Sequence, residues 1–204
     1  LLLNFNKLGP SLKIKMVHEE LEKRAKEHGI AMIGINNSHG IHTLDLWTDS
    51  LANRDLMSIC FYNGGPSGVI PHSGTKGIFG TNPMSYSIPT NENPATTDMS
   101  TSEIPFFEIL NAKKNGEQIR KNTAVNNTGE ITTDPNEAMA NDDESNLLPM
   151  GGGYKGYNLV YLLEVLTGSL VGSSLSTEMT PGYVREEHGG LIIAFDISVF
   201  NKAN

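Results

Sequence analysis

Cysteine is nearly absent: Cys60 is the single one in the chain, which excludes an internal disulfide framework and a multi-cysteine zinc site. A reducing, cytoplasmic setting is the simpler expectation. Basic charge is also scarce, with 15 Lys and Arg against 23 Asp and Glu and a net charge of −8. Broad nucleic-acid binding needs a basic face to neutralise phosphates, so nucleic acid is not an expected partner. A local basic pocket stays open. Long apolar runs are missing as well. The most apolar helix candidate, residues 157–171, is too short to span a bilayer and carries Glu164, so no membrane partner is expected. Leu1-Leu2-Leu3 is too brief for the apolar region of a signal peptide. The chain opens without methionine and stops soon after its last apolar run, so more sequence is expected on both sides.

What is present is an ordinary globular composition, 38% hydrophobic and 19% charged over 204 residues, enough for one domain or two small ones. Ile14, Val17, Leu21 and Ala25 recur at helical spacing with Gly29 as the stop. The apolar run at residues 30–35 ends in the polar loop Asn36-Asn37-Ser38-His39-Gly40, and Leu44, Trp47 and Leu51 then describe a second amphipathic helix. A strand is expected at residues 57–62, where Cys60 has the setting of a small buried apolar residue. Strand, polar loop, helix and strand make an α/β unit with a functional loop after its first strand. Further strands are expected at residues 84–88, 95–99 and 191–197, and residues 113–145 read mostly as surface loops with weak helical content.

Chemistry concentrates in a few loops. Leu148-Pro149-Met150-Gly151-Gly152-Gly153-Tyr154-Lys155-Gly156-Tyr157 is a glycine-rich turn opening into an apolar helix. The first N–H groups of a helix lack intrahelical partners and, with the helix dipole, favour an anion such as phosphate, to which Lys155 adds charge. The letters Gly151-x-Gly153-x-x-Gly156 match a dinucleotide fingerprint, but no confident strand precedes them, and no Ser or Thr follows Lys155 as a Walker motif requires. On glycines alone, a tight turn with a solvent-facing lysine is the simpler description. His39 closes a strand in a loop, where an imidazole can exchange a proton with a hydroxyl. A surface histidine is the bland alternative. His39, His42 and Asp45 also offer a metal-ligand spacing, which Gly40 weakens. Asp98, followed by Met99 and Ser100, can bind ribose hydroxyls or simply cap a turn.

The order of these segments is more telling than any one of them: Asn37-Ser38-His39-Gly40, Gly80-Thr81-Asn82-Pro83, Asp98-Met99-Ser100-Thr101-Ser102, Thr132-Thr133-Asp134-Pro135, then the Lys155 turn. From Lys13 to Phe200 this resembles the malate/L-lactate dehydrogenase family, which also contains ureidoglycolate dehydrogenase, sulfolactate dehydrogenase, diketogulonate reductase and piperideine-carboxylate reductase. The resemblance implies a homodimeric oxidoreductase using NAD or NADP on a small 2-hydroxy or 2-oxo acid such as malate or lactate. It implies an α/β fold with a non-Rossmann, mixed and mainly antiparallel sheet flanked by helices. His39 matches the family's proton-accepting histidine. Asp98, Met99 and Ser100 match its Asp-Met-Ala cofactor segment, Lys155 and Gly156 its cofactor-binding Lys-Gly, and Asn63 falls near a substrate-contacting polar residue.

The resemblance also has gaps. The family's N-terminal helical region, with its own Ser-His-Gly, has no counterpart here, nor has its C-terminal tail. Residues 1–204 are therefore expected to be the cofactor-binding domain. Pro71-His72-Ser73-Gly74 replaces a Pro-aromatic-Gly-Gly, Thr123 replaces a tryptophan, and the segment from Ser176 to Gly189 is short. Two other readings stay in view: an incomplete family member that binds nucleotide without turnover, and a metal-dependent hydrolase built on His39, His42 and Asp45.

Overall fold

The computed structural model describes residues 1–139, 141–179 and 187–200. An edge strand β1 (Leu2–Leu8) leads through a short 3-10 turn at Pro10–Lys13 into α1 (Ile14–His28). Val17, Leu21 and Ala25 are fully buried on one face of α1, and Gly29 ends it at φ +84°, donating its N–H to the Ala25 carbonyl. Then come β2 (Ile30–Ser38), α2 (Asp45–Ala52), β3 (Leu56–Tyr62), β4 (Met84–Ile88) and β5 (Ala95–Met99). They fall where the spacing of apolar residues expects them, to within a few residues. Helix α3 (Phe106–Asn115) follows, with the two-residue strands β6 (Ala124–Val125) and β7 (Ile131–Thr132) and the short helix α4 (Pro135–Ala138). Helix α5 (Tyr154–Thr167) begins three residues earlier than the apolar run suggests and stops at Gly168 before a 3-10 turn. Strand β8 (His188–Asp196) and α6 (Ile197–Phe200) close the described chain.

The main sheet has six strands in the order β1-β2-β8-β3-β4-β5. Only β1 pairs in parallel, with β2; the other pairings are antiparallel. This is the mixed, mainly antiparallel α/β architecture expected. Strand β8 lies between β2 and β3 and runs against both, so β2 and β3 point the same way although they are not neighbours. Two further antiparallel pairings carry that direction on to β5.

Helices α1 and α2 cover one face of the sheet. Ala31, Ile33, Ile35, Cys60, Tyr62, Ile192 and Ala194 pack there with Val17, Leu21, Trp47 and Leu51 in one core. A second core joins Val69, Phe79, Ile104, Ile109, Leu147 and Val160, and so ties α3 and α5 to the loops after β3 and β5. Helix α5 packs on the opposite sheet face, against β3 and β8. Among the described residues, no helix is long and apolar enough to cross a membrane.

Candidate functional site

The shared direction of β2, β3 and β5 fixes where the candidate residues go. His39 follows β2, Asn63 follows β3, and Met99 ends β5 with Ser100 next, so all four lie at one end of the sheet. The Lys155 turn joins them there. The Ser100-Thr101-Ser102 segment is clamped on one side by Thr81, whose carbonyl accepts from Thr101 N–H at 2.9 Å. On the other side Met150 N–H donates to the Thr101 carbonyl at 2.9 Å, and Ser102 bridges to Pro149.

The His39 loop is held by its backbone. Its N–H donates to the Leu8 carbonyl at 3.3 Å, and its own carbonyl accepts from the Tyr62 hydroxyl at 3.1 Å. Burial pushes the Tyr62 phenol up, so it keeps the proton it donates. Cys60 is likewise pushed up by burial, which leaves an inert thiol in the core.

Asn63 is 2% exposed. Its N–H donates to the Gly189 carbonyl at 2.9 Å, its side-chain Oδ1 accepts from Gly65 N–H at 2.8 Å, and among the described residues its Nδ2 finds no partner. A buried donor without an acceptor is costly, and a ligand oxygen is one way to satisfy it. His188 stands beside it. This buried histidine opens β8 next to Ser38 in the ladder, lies 3.0 Å by Nδ1 from the Asn63 carbonyl, and stacks on Tyr62 with ring centroids 6.3 Å apart. A Cβ on Gly40 would approach its Nε2 to 3.3 Å. His188 thus joins the His39 loop to Asn63, a role missed when the strand is begun at Leu191. The signal was a histidine ahead of Gly189-Gly190, two glycines that let strands and side chains close in.

Asp98 works at a distance along the chain. Its Oδ2 accepts from Leu44 N–H at 2.7 Å, Asp45 N–H at 3.2 Å and the Thr43 hydroxyl at 3.1 Å. It therefore caps α2 and anchors residues 43–45, the far side of the loop that carries His39. Met99 pairs with Met84 in the ladder, and the Ser100 hydroxyl accepts from the Ser102 hydroxyl at 3.2 Å. Asp45 is engaged by Thr43 and by Leu46 N–H, and among the described residues no three His, Cys, Asp or Glu side chains are grouped to hold a metal. The His39, His42 and Asp45 triad is not assembled.

At the α5 start, Gly153 is an extended N-cap without side-chain capping, and Lys155 projects from the first turn, exposed. Gly151 and Gly152 sit at φ +73° and +63°, and a Cβ on Gly151 would meet nothing within 4 Å. The turn opens onto space, as an anion cradle would. Gly156 differs: a Cβ there would collide with the Met150 backbone, so close packing of α5 on its own turn requires this glycine.

Residues 6–204 match the sequence model of the malate/L-lactate dehydrogenase family. The chain belongs to this family. Malate/(S)-sulfolactate dehydrogenase of Methanothermus fervidus is 35% identical over 95% of the chain and 56% of its own length. (2R)-3-sulfolactate dehydrogenase (NADP(+)) of Chromohalobacter salexigens is 31% identical over 87% of the chain and 53% of its own. Sulfolactate dehydrogenase from Methanocaldococcus jannaschii superposes with a TM-score of 0.82 at 28% identity, over 98% of the chain and 57% of that structure. The chain spans about half the length of the relatives it matches.

Proposed function

We propose that this chain carries the nicotinamide site of an NAD- or NADP-dependent oxidoreductase acting on a small 2-hydroxy or 2-oxo acid, the class to which malate and lactate belong. The carrying observation is the convergence of His39, Asn63, Ser100 and the Lys155 turn at one end of the sheet. Two relatives are named dehydrogenases of malate or sulfolactate, one with NADP(+) in its name.

The residues fit the cofactor. The uncapped α5 start, with Lys155 and open glycines, suits a phosphate, and Asp98, Met99 and Ser100, at the same end of the sheet, would hold its sugar and nicotinamide portions. Asp98 serves through the Oδ1 that α2 leaves over and by holding the His39 loop. When bound, the nicotinamide ring donates or accepts hydride. His39 takes the proton from the substrate hydroxyl during oxidation and returns it to the oxyanion during reduction. Asn63 Nδ2 donates to a substrate oxygen, and Gly156 keeps α5 seated so that Lys155 is presented. Orientation and charge placement are the protein's contribution. A homodimeric, cytoplasmic protein belongs to the same proposal.

The test is fluorescence titration of NADH and NADPH into the full-length protein, followed by assays on 2-oxo acids. Lys155→Ala is expected to weaken cofactor binding roughly 10- to 100-fold, the worth of a charge-assisted hydrogen bond. His39→Ala is expected to lower turnover by about 10²–10⁴ while cofactor affinity stays near wild type. Failure of the full-length protein to bind either cofactor overturns the reading.

A further inference from the structure

Helix α5 buries a carboxylate that the chemistry above leaves unused. Glu164 is 4% exposed. Its Oε1 accepts from Ser176 N–H at 2.5 Å, and its Oε2 accepts from Asn82 Nδ2 at 2.7 Å and the Ser176 hydroxyl at 3.0 Å. The Ser176 oxygen in turn accepts from Gly80 N–H at 2.7 Å. Asn82 is fully buried, and its Oδ1 accepts from Gly64 N–H at 2.9 Å while its backbone carbonyl takes the Thr101 hydroxyl at 2.9 Å. The next amide along, Gly65 N–H, claims Asn63 Oδ1.

These bonds leave one arrangement. A carboxylate only accepts and a backbone N–H only donates. Asn82, standing between Glu164 and Gly64, satisfies both only with its NH₂ toward the helix and its oxygen toward the loop. With Gly64 pinned, Gly65 is placed to hold the Asn63 oxygen, which turns the unpartnered Asn63 Nδ2 into the donor on offer. The same helix begins at the Lys155 turn. At about 1.5 Å of rise per residue, Lys155 and Glu164 are roughly 14 Å apart along one rigid rod.

We propose that Glu164 and Asn82 are a positioning pair that sets the direction of the Asn63 carboxamide, so that the helix presenting the cofactor lysine also fixes the substrate-side donor. The role given to Asn63 rests on the function proposed above; the relay from Glu164 to the Gly64-Gly65 loop does not.

Three variants of the full-length protein test it: Glu164→Gln, Asn82→Asp, and the two combined. Glu164→Gln lets the Asn82 amide flip, and Asn82→Asp sets two carboxylates together. The combined swap reverses the bond between the two residues: the new amide of residue 164 donates to the new carboxylate of residue 82, which still accepts from Gly64 N–H, and to the Ser176 oxygen, whose hydroxyl hydrogen turns away. Each single variant is expected to raise KM for the 2-oxo acid roughly three- to tenfold, about one hydrogen bond's worth, with kcat and NADPH affinity moving less than about twofold. Amide hydrogen exchange at Gly64 and Gly65 is expected to quicken in Glu164→Gln, where the flipped Asn82 amide turns its NH₂ toward Gly64 N–H. The combined swap is expected to return KM and exchange to within about twofold of wild type.

Unchanged exchange at Gly64 and Gly65 in a folded Glu164→Gln protein overturns the proposal, whether or not the protein turns over any 2-oxo acid. A combined swap no better than the worse single also overturns it, since a directly bonded pair predicts that restoring the bond restores the loop. If neither single variant folds, the swap alone decides: wild-type exchange and KM support the pair, and loss of either overturns it. Absence of cofactor binding in all proteins, with the exchange pattern intact, would instead strike the proposed function and leave the relay standing.

Discussion

Both faces of the main sheet carry apolar side chains, and they are unequally closed in space. In β2, Ile33 faces α1 and is 0% exposed, whereas its neighbour Met32 points the other way and is 49% exposed. Register carries the contrast across the sheet: Met32 pairs with Ile193, Ile193 with Ile59, and Ile59 with Tyr86, all only part-buried at the three later positions. On this second face α5 packs at the end where the site lies, while Ile30, Met32 and Ile88 remain exposed farther off. Stability is therefore concentrated on the α1 and α2 face, and the Lys155 turn of the proposed site opens the helix that covers part of the other. Ile33→Ala is expected to cost about 3 kcal/mol through lost burial and the cavity left behind, and Met32→Ala under about 1 kcal/mol. Urea denaturation of the two variants measures both. Equal costs would mean that the second face is as firmly closed in solution as the first.

A pH experiment sharpens the same comparison, because the helix-covered face contains a buried histidine. His18 is 3% exposed, hydrogen-bonded at 3.1 Å by Nε2 to the Trp47 carbonyl, with its ring edge-on to Trp47. Burial, and secondarily the Arg54 charge, lower its pKa from 6.5 to about 4, against a smaller opposing effect of the Trp47 bond. The folded protein thus holds neutral His18 where the unfolded chain would already be protonated. This contribution is complete above pH 6.5 and is lost as pH falls toward 4, by at most about 3 kcal/mol. Denaturation curves at pH 7.5 and 4.5 for wild type and His18→Gln isolate it. The idea fails if the variant loses as much stability as wild type on acidification.

The glycines of the Lys155 turn bring the comparison to the site itself. Gly156→Ala drives a methyl into the Met150 backbone and is expected to cost about 2 kcal/mol or to displace α5. Gly151→Ala meets open space and carries only the strain of φ +73°, about 1 kcal/mol. Thermal unfolding of the pair separates a glycine needed for packing from one needed for backbone shape.

Local periodicity made much of this fold legible. Helices α1 and α2 and strands β3 and β4 bury residues at the spacing that reveals them, and Gly29 stops α1 as its position suggests. Strand β1 escaped because it buries only Phe5 and bends through positive φ at Asn6 and Lys7, so nothing alternates. Helix α3 escaped because only Ile109 and Ala112 are buried after Pro105. Of the proposed site residues, His39 and Lys155 stand in a loop and a glycine turn that mark themselves in sequence, whereas Asn63 is named through the family resemblance. Glu164 could not be picked out, and His188 is marked only by the two glycines that follow it. Their partners lie far off in the chain, Asn63 for the histidine and Asn82 for the glutamate, so only tertiary packing gives them meaning. Asp98 shows the same limit: it caps a helix, but one that precedes it by some fifty residues.

Lys155 offers the smallest effect on stability and the cleanest separation of the two roles. It is exposed in the first turn of α5, and no side-chain cap depends on it. Lys155→Ala is expected to leave unfolding free energy within about 0.5 kcal/mol of wild type, as surface substitutions usually do. Alanine also keeps helix propensity high, so α5 should start where it does now. The same variant is expected to lose NADH and NADPH affinity, and more steeply at low ionic strength than at high, because an exposed charge is screened by salt. A stability loss as large as that of Gly156→Ala would make Lys155 part of the packing that seats α5. Unchanged stability with weakened binding would place the lysine where the open turn suggests, facing a ligand and outside the packing that seats α5.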